Sequence, residues 1–297
     1  MTDPLHDVFT VLGAGVERLS RLEAAGDWAL EFPARDRLKF VAWVRGTGWL
    51  AAFGCEPQIM SAGDVCLIGR ASYVIASDLA LPLRDGRPLY EASDTARLGG
   101  DETVALGGAV TFSQGSGDFL LDMLPDVLFV PQSSPGSGSM ATILSLLDAE
   151  MKRGAVGGEI VRARLADLLL VEAIRAYASG VPENRTGWLG ALSDPRLGRV
   201  LRAVHGDIAR RWTVARLADE AGMSRAAFAA SFTRQIGQAP LSYVRTWRLT
   251  LARAALVRGD SDIAGVANRL GYTSQSAFTH AFRCAFGTTP KATRRGL

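Results

Sequence analysis

This chain of 297 residues is predicted to be a multidomain α+β protein. A small β-barrel or sandwich comes first, a pair of helices follows, and an all-α domain with a duplicated helix-turn-helix closes the chain. Three observations predict this. A motif recurs at a fixed spacing, with Phe228, Phe232, Gly237 and Pro240 answered by Phe278, Phe282, Gly287 and Pro290, which marks a repeated structural unit. The apolar period is near two for residues 28–75 and helical beyond residue 140. The charge is also divided. From Arg185 to Leu297 there are 18 Arg or Lys against 6 Asp or Glu, a net of +12, whereas the first 184 residues carry 15 against 24, a net of −9. An asymmetry of this kind, hidden in the whole-chain +3, points to a polyanion as the partner of one half.

Within residues 1–30, Val8, Leu12, Val16 and Leu19 form a helical stripe, weakened by Gly13 and Gly15. Alternation then begins, with Trp28, Leu30 and Phe32, and again with Leu38, Phe40 and Ala42. Residues 40–44 and 48–53 read as adjacent strands around a tight turn at Gly46. A turn at Ser61, Gly63 and Asp64 leads into a strand at 65–68, and further strands are expected at 72–77 and 104–112. Short strands with glycine turns at close spacing argue for a barrel or sandwich. Residues 113–139 are a breaker-rich crossing with compact apolar pieces at 120–124 and 127–130, and 133–139 close the domain.

Two helices follow. Residues 141–152 place Ile143, Leu144, Leu147 and Met151 on one stripe. Residues 159–179 carry Val161, Leu165, Leu168 and Leu169 on one side and Ala166, Leu170, Ala173, Ile174 and Tyr177 round the cylinder. So broad an apolar surface needs two partners. One is the barrel; the other is either a second copy of the chain, for which two-fold symmetry is the default, or the interior of the same chain. The expected division is a β-domain at 1–137, a helical segment at 138–180, a linker at 181–187 and a basic all-α domain at 188–297. The last opens with residues 188–192 and a helix from the Asp194-Pro195 cap through Arg211.

Each repeat reads as helix, turn, helix. Thr213 caps the first helix, whose apolar face is Val214, Leu217, Ala218 and Ala221; Gly222 ends it, and Ser224 caps the next. In the second copy the face is Ile263, Val266, Ala267 and Leu270, Gly271 makes the break, and Thr273 or Ser274 is the cap. The two units span about 213–234 and 262–286. In such a motif the second helix enters the major groove of double-stranded DNA. Arginine supplies 17 of the 18 basic residues in this half, and its guanidinium grips phosphate bidentately.

Trp212, Leu217, Ala218, Gly222, Ser224, Phe228, Phe232, Gly237, Pro240, Tyr243, Trp247 and Arg248, with their counterparts Ile263, Val266, Leu270, Gly271, Phe278, Phe282, Gly287 and Pro290, resemble the AraC/XylS-type DNA-binding domain over about 110 residues. The resemblance implies that a long helix, about 241–257, joins the units and sets both recognition helices into successive major grooves. It places the candidate DNA-binding surface at Ser224, Arg225, Ala226, Ala229, Ala230 and Arg234 in unit one. In unit two the surface is Ser274, Gln275, Ser276, Thr279, His280 and Arg283. Gln pairs bidentately with adenine and His reaches a guanine edge, whereas alanines touch only thymine methyls, so unit two is expected to be the stronger reader. Two positions depart from the family pattern, Ala230 where Arg is frequent and Thr293 where Tyr is usual.

The first half, through the Gly48-Trp49-Leu50 run and the Gly63-Asp64 turn before its apolar strand, resembles the cupin-like sensor domain of one AraC-type subfamily. Metal-dependent cupin enzymes use several histidines, and this chain has His6, His205 and His280, none on the predicted strands. No metal site, catalytic residue or cofactor is therefore expected. Trp43, Trp49, Phe53, Tyr73 and Phe112 are the candidate effector-binding aromatics, with core filling as the alternative for each. Cys55 and Cys66 are candidate redox residues, since some regulators of the resembled subfamily respond to reactive chlorine through cysteines; buried structural thiols are the alternative. The resemblance further implies a homodimer that activates transcription through contact with RNA polymerase. No apolar run is long enough for a membrane span and no signal sequence is apparent, so a cytoplasmic location is expected. A cysteine-based redox regulator and a cupin-type enzyme with a DNA-binding domain stand as alternatives.

Overall fold

The computed structural model describes residues 3–112, 117–180, 187–260 and 262–295. The chain runs α1 (Pro4–Leu12), β1 (Ala14–Ala24), β2 (Ala29–Phe32), β3 (Lys39–Arg45), β4 (Thr47–Ala52), β5 (Gln58–Ser61), β6 (Val65–Ile68), β7 (Tyr73–Ala76), β8 (Arg84–Asp85), β9 (Thr95–Leu98) and β10 (Thr103–Phe112). It continues through α2 (Asp118–Met123), β11 (Val127–Val130), α3 (Gly138–Arg153), α4 (Gly158–Ser179), α5 (Trp188–Ser193), α6 (Leu197–Gly206) and α7 (Val214–Ala221). The last elements are α8 (Arg225–Ile236), α9 (Pro240–Arg258), α10 (Ile263–Arg269), α11 (Gln275–Phe286) and α12 (Pro290–Arg294).

These elements form two units. One holds residues 15–111 and 124–180. Its strands make a six-stranded sheet, ordered β11-β6-β3-β10-β1-β9, and a five-stranded sheet, ordered β5-β4-β7-β2-β8. Trp43, Cys66 and Ala105 of the first sheet and Leu30, Leu50, Met60 and Ile75 of the second share one buried cluster, so the core is the layer between the sheets. The Gly63-Asp64 turn pins this layer. Asp64 is buried, and its carboxylate accepts the Ser61 and Gln132 amides, each at 2.8 Å. The antiparallel run β6-β3-β10 aligns Phe40 with Leu67 and with Gly108. Helices α3 and α4 pack on each other, α3 on β3 and α4 on β11. Arg21 of β1 is buried and bridges Glu23 and Asp148 of α3, so the charge enters the interior with its counter-charges in place.

The other unit holds residues 3–14, 112, 117–123 and 187–295, which differs from a division at residue 137. The reason is packing. Helix α1 lies on α6 and α9, and α2 lies on α9. Val8 and Leu12 are buried, and Phe119 sits 4.9 Å from Trp247 and 5.9 Å from Tyr243, ring to ring. Burying these rings and aliphatic chains contributes about 2 kcal/mol each.

Some elements differ from expectation. The stripe through Val16 and Leu19 breaks because Gly13 caps α1 in the left-handed conformation, and those residues belong to β1. The helix expected to reach Arg211 ends at Gly206; residues 207–212 instead fold against Arg248, which donates to the Ile208 and Arg210 carbonyls at 2.8–3.0 Å. Residues 120–124 fall largely in α2 and 127–130 form β11. The loop at 113–116 and the linker at 181–186 lie outside the described residues. Among the described residues no helix is long and apolar enough to cross a membrane.

Candidate nucleic-acid interface and ligand cavity

Each helix-turn-helix is assembled from local signals. Thr213 accepts the Arg216 amide and Ser224 accepts the Ala227 amide, so both helices of unit one begin on a side-chain cap. In unit two Asp262 caps α10 and Ser274, of the two candidates, caps α11. Behind each recognition helix lies an aromatic anchor. Phe228, Phe232, Phe278 and Phe282 are all essentially inaccessible, with ring centroids 5.5 and 5.7 Å apart within the two pairs. Residues four apart share a helix face, so burying these rings turns the opposite face outward.

On the outward face of α8, Arg225, Ala226, Ala230 and Arg234 are exposed and Ala229 is half-buried. On α11, Gln275, Ser276, His280 and Arg283 are exposed and Thr279 is half-buried. These five residues of α11, with Thr289, line one shallow depression. The hydroxyls of Ser224 and Ser274 are engaged as caps, and Ser274 also meets the Ser276 hydroxyl at 2.7 Å. Their contribution is to aim the first turn, whose free N–H groups and positive dipole end suit a phosphate. His280 Nε2 lies 3.6 Å from Cys284 Sγ one turn on. Arg269, exposed on α10 with no ion pair among the described residues, is an additional phosphate candidate outside the recognition helices.

Long helix α9 joins the two units of the motif. At its centre Tyr243 Oη lies 2.8 Å from His205 Nε2 and accepts the Trp188 indole N–H at 3.0 Å. His205 stacks on Trp247 at 4.6 Å, and its Nδ1 lies 3.4 Å from an Asp7 carboxylate oxygen. Burial lowers the His205 pKa below the ordinary imidazole value, and Asp7 opposes this only in part.

The β-domain contains a cavity of about 660 Å³, within the 300–1,000 Å³ usual for small-molecule sites. Of the five aromatics proposed from the sequence to line such a site, Tyr73 does so. Trp43 is fully buried in the inter-sheet core, and Phe53 is 85% exposed. Trp49 is half-buried on β4, and Phe112, at the end of β10, belongs to the other unit. Alternation alone does not tell which face of a strand meets a void and which meets side chains. The lining instead includes Phe32, stacked on Tyr73 at 4.9 Å, and the basic residues Arg35, Arg37 and Lys39. Arg35 and Arg37 come from the irregular segment between β2 and β3, and Lys39 is the first residue of β3.

Neither candidate redox cysteine sits in this cavity. Cys66 is fully buried on β6, and burial pushes its thiol up to about 12, which keeps it protonated and unreactive. Cys55 is exposed. Among the described residues no cluster of three His, Cys, Asp or Glu side chains is arranged to hold a metal ion.

The family comparisons agree with this architecture. Residues 3–179 match a family described as cupin, and residues 217–296 match a helix-turn-helix domain. The chain is 36% identical to an AraC-like transcription regulator of Streptomyces lividans, over 97% of this chain and 96% of that one. It is 28% identical to the HTH-type transcriptional regulator AlkR of Acinetobacter baylyi, over 99% of each. It is 26% identical to the RCS-specific HTH-type transcriptional activator RclR of Escherichia coli, over 83% of this chain and 88% of that one. With a cupin-type β-domain followed by two helix-turn-helix units, the chain belongs to the AraC-like transcription regulators and is a DNA-binding protein.

Proposed function

We propose that the chain is a cytoplasmic, homodimeric transcriptional activator that reads paired DNA sites, contacts RNA polymerase and responds to a small molecule held in the β-domain. The observation that carries the reading is the face of α11, where Gln275, Ser276, Thr279, His280 and Arg283 are presented together while Phe278 and Phe282 anchor the reverse side. In this reading residues 138–180 serve dimerisation and 181–187 the linker. The support for a dimer is apolar surface left open on the helical pair, where Leu146, Ile160, Val161 and Leu168 are 45–70% exposed.

The cavity supports effector sensing over a redox mechanism, because a thiol pushed up to about 12 leaves Cys66 without thiolate at neutral pH. The double variant Cys55→Ser, Cys66→Ser is expected to match the wild type in a transcriptional reporter assay with and without oxidant. The whole reading is tested on DNA upstream of the gene itself and of its divergent neighbour. Binding across a salt series should lose affinity with a log–log slope of about −0.9 per phosphate neutralised. A binding constant insensitive to salt would remove DNA from the account.

A further inference from the structure

Three cations meet at one wall of the β-domain cavity without acids to match them. Arg35 and Arg37 are exposed, Lys39 is half-buried, and none has an ion pair within 4 Å among the described residues. The acids that share the lining form no ion pair with them among the described residues, although Arg35 acts on Asp85 at longer range. Asp85 is clasped by Arg87 through contacts of 2.7, 3.0 and 3.1 Å, and Glu91, the other lining carboxylate, acts on the same Arg87 at longer range. Arg18, the remaining basic residue of the lining, is engaged by Asp94 at 3.6 Å and by the Tyr90 carbonyl. Lys39 Nζ donates to the Pro33 carbonyl at 3.3 Å and lies 4.9 Å over the Tyr73 ring. These neighbours orient an ammonium without neutralising it, and an unneutralised charge drawn out of water is costly.

The opposite character lies deeper. Leu22, Phe40, Val41 and Ile75 give an apolar floor, and the stacked pair of Phe32 and Tyr73 gives a flat wall. Both tyrosines of the lining are pushed up by burial, Tyr90 to about 12, so they remain neutral and add no negative charge. A ligand that satisfies both ends is amphipathic and negatively charged at one of them.

We propose that this cavity binds an organic carboxylate with a flat apolar body, its anionic group among Arg35, Arg37 and Lys39 and its body against Phe32, Tyr73 and Ile75. The inference rests on the reading of the β-domain as an effector sensor and names the chemical class of the effector. The arginine forks match a carboxylate bidentately, and the Lys39 ammonium supplies a point charge. The lowering of the Lys39 amine to about 8, caused by burial and by the two neighbouring arginines, is relieved when an anion arrives.

The test is calorimetric titration of the full chain with 2-naphthoate and with the neutral isostere 2-naphthamide, at two salt concentrations. Naphthoate is expected to bind at least about tenfold more tightly than the amide, as for a charge-assisted contact in a partly desolvated site, and the preference should shrink in high salt. Lys39→Met and Arg37→Gln are expected to remove that preference and leave amide binding within about twofold. Ala109→Trp, which fills the cavity from a half-buried position beside Lys39, should abolish binding of both while circular dichroism stays native. Equal affinities for acid and amide, with no effect of Lys39→Met, would overturn the anionic class and leave the sensor reading in place. Failure of both probes to bind the wild-type chain at millimolar concentration would overturn the class and count against the sensor reading itself. Naphthoate binding that survives Ala109→Trp would move the site elsewhere.

Discussion

Gly222 and Gly271 occupy the same place in the two repeats and carry different burdens. Both have positive φ, 64° and 77°. A Cβ on Gly222 would meet open space, whereas on Gly271 it would lie 2.4 Å from the Ala209 carbonyl oxygen. Gly222→Ala is therefore expected to cost about 1 kcal/mol of stability, the penalty of left-handed backbone alone. Gly271→Ala should cost about 3 kcal/mol because backbone must shift as well; urea denaturation of the two variants compares them directly. At His205 the pKa is lowered by burial, so the unfolded chain binds its proton first as pH falls. Stability from this site is present above the unfolded value of about 6.5 and declines below it. Asp7 raises the His205 pKa, so Asp7→Asn should steepen the loss of melting temperature between pH 6.5 and 5. Lys39 gives the opposite pH signature in ligand binding. Its neighbours Tyr73 and Tyr90 stay neutral, and Arg87 stays paired with Asp85. Naphthoate affinity should therefore hold up to pH 8 and fall above it.

The helix-turn-helix elements were legible residue by residue, because caps, glycines and buried phenylalanines act within a few positions of each other. Ser224, Ser274 and the four anchor phenylalanines are where local spacing places them. The β-domain was legible only where both alternation and turns were strong, as at β3 and β4. Strand β1 was read partly as helix because Val16 follows α1 at a helical interval, and only the left-handed Gly13 breaks that register. Strands β8 and β9 pair in parallel with β2 and β1 through long-range contacts that no short window carries. Helices α1 and α2 show the same limit. Their apolar faces are plain in sequence, but the partner they cover, α9, lies more than a hundred residues away. Phe119→Ala is expected to cost about 3–5 kcal/mol, registered as loss of stability in the DNA-binding unit rather than in the β-domain. A fragment spanning 187–297 should melt below the corresponding transition of the full chain, because it leaves Trp247 and Tyr243 uncovered.

For the whole molecule, the charge division is the feature most directly expressed. Basic side chains such as Arg225, Arg234, Arg269 and Arg283 stand exposed around the two recognition helices; in the proposed reading they supply sequence-independent affinity while α11 reads bases. Strands β1 and β10, which contribute Leu22 and residues 105–109 to the cavity wall, run directly from α1 and toward α2, the two segments built into the DNA-binding unit. In the proposed sensor, an effector whose binding changes the affinity for DNA is itself bound with different affinity when DNA is present, since coupling of binding free energies is reciprocal. In the proposed dimer the open face of α3 and α4 brings in a second DNA-binding domain, and Leu168→Glu should shift the protein to monomer in analytical ultracentrifugation.

The measurement that bears most directly on the central claim is a footprint of the full-length protein on its upstream DNA, for the wild type and for Gln275→Ala and Arg225→Ala. Paired protected sites in register with the helical repeat are expected. Gln275→Ala should cost about 1–3 kcal/mol and relax sequence preference in the half-site read by α11, whereas Arg225→Ala should weaken binding more evenly across sequences. Protection confined to the half-site read by α8, with Gln275→Ala indistinguishable from wild type, would contradict the assignment of α11 as the principal reader.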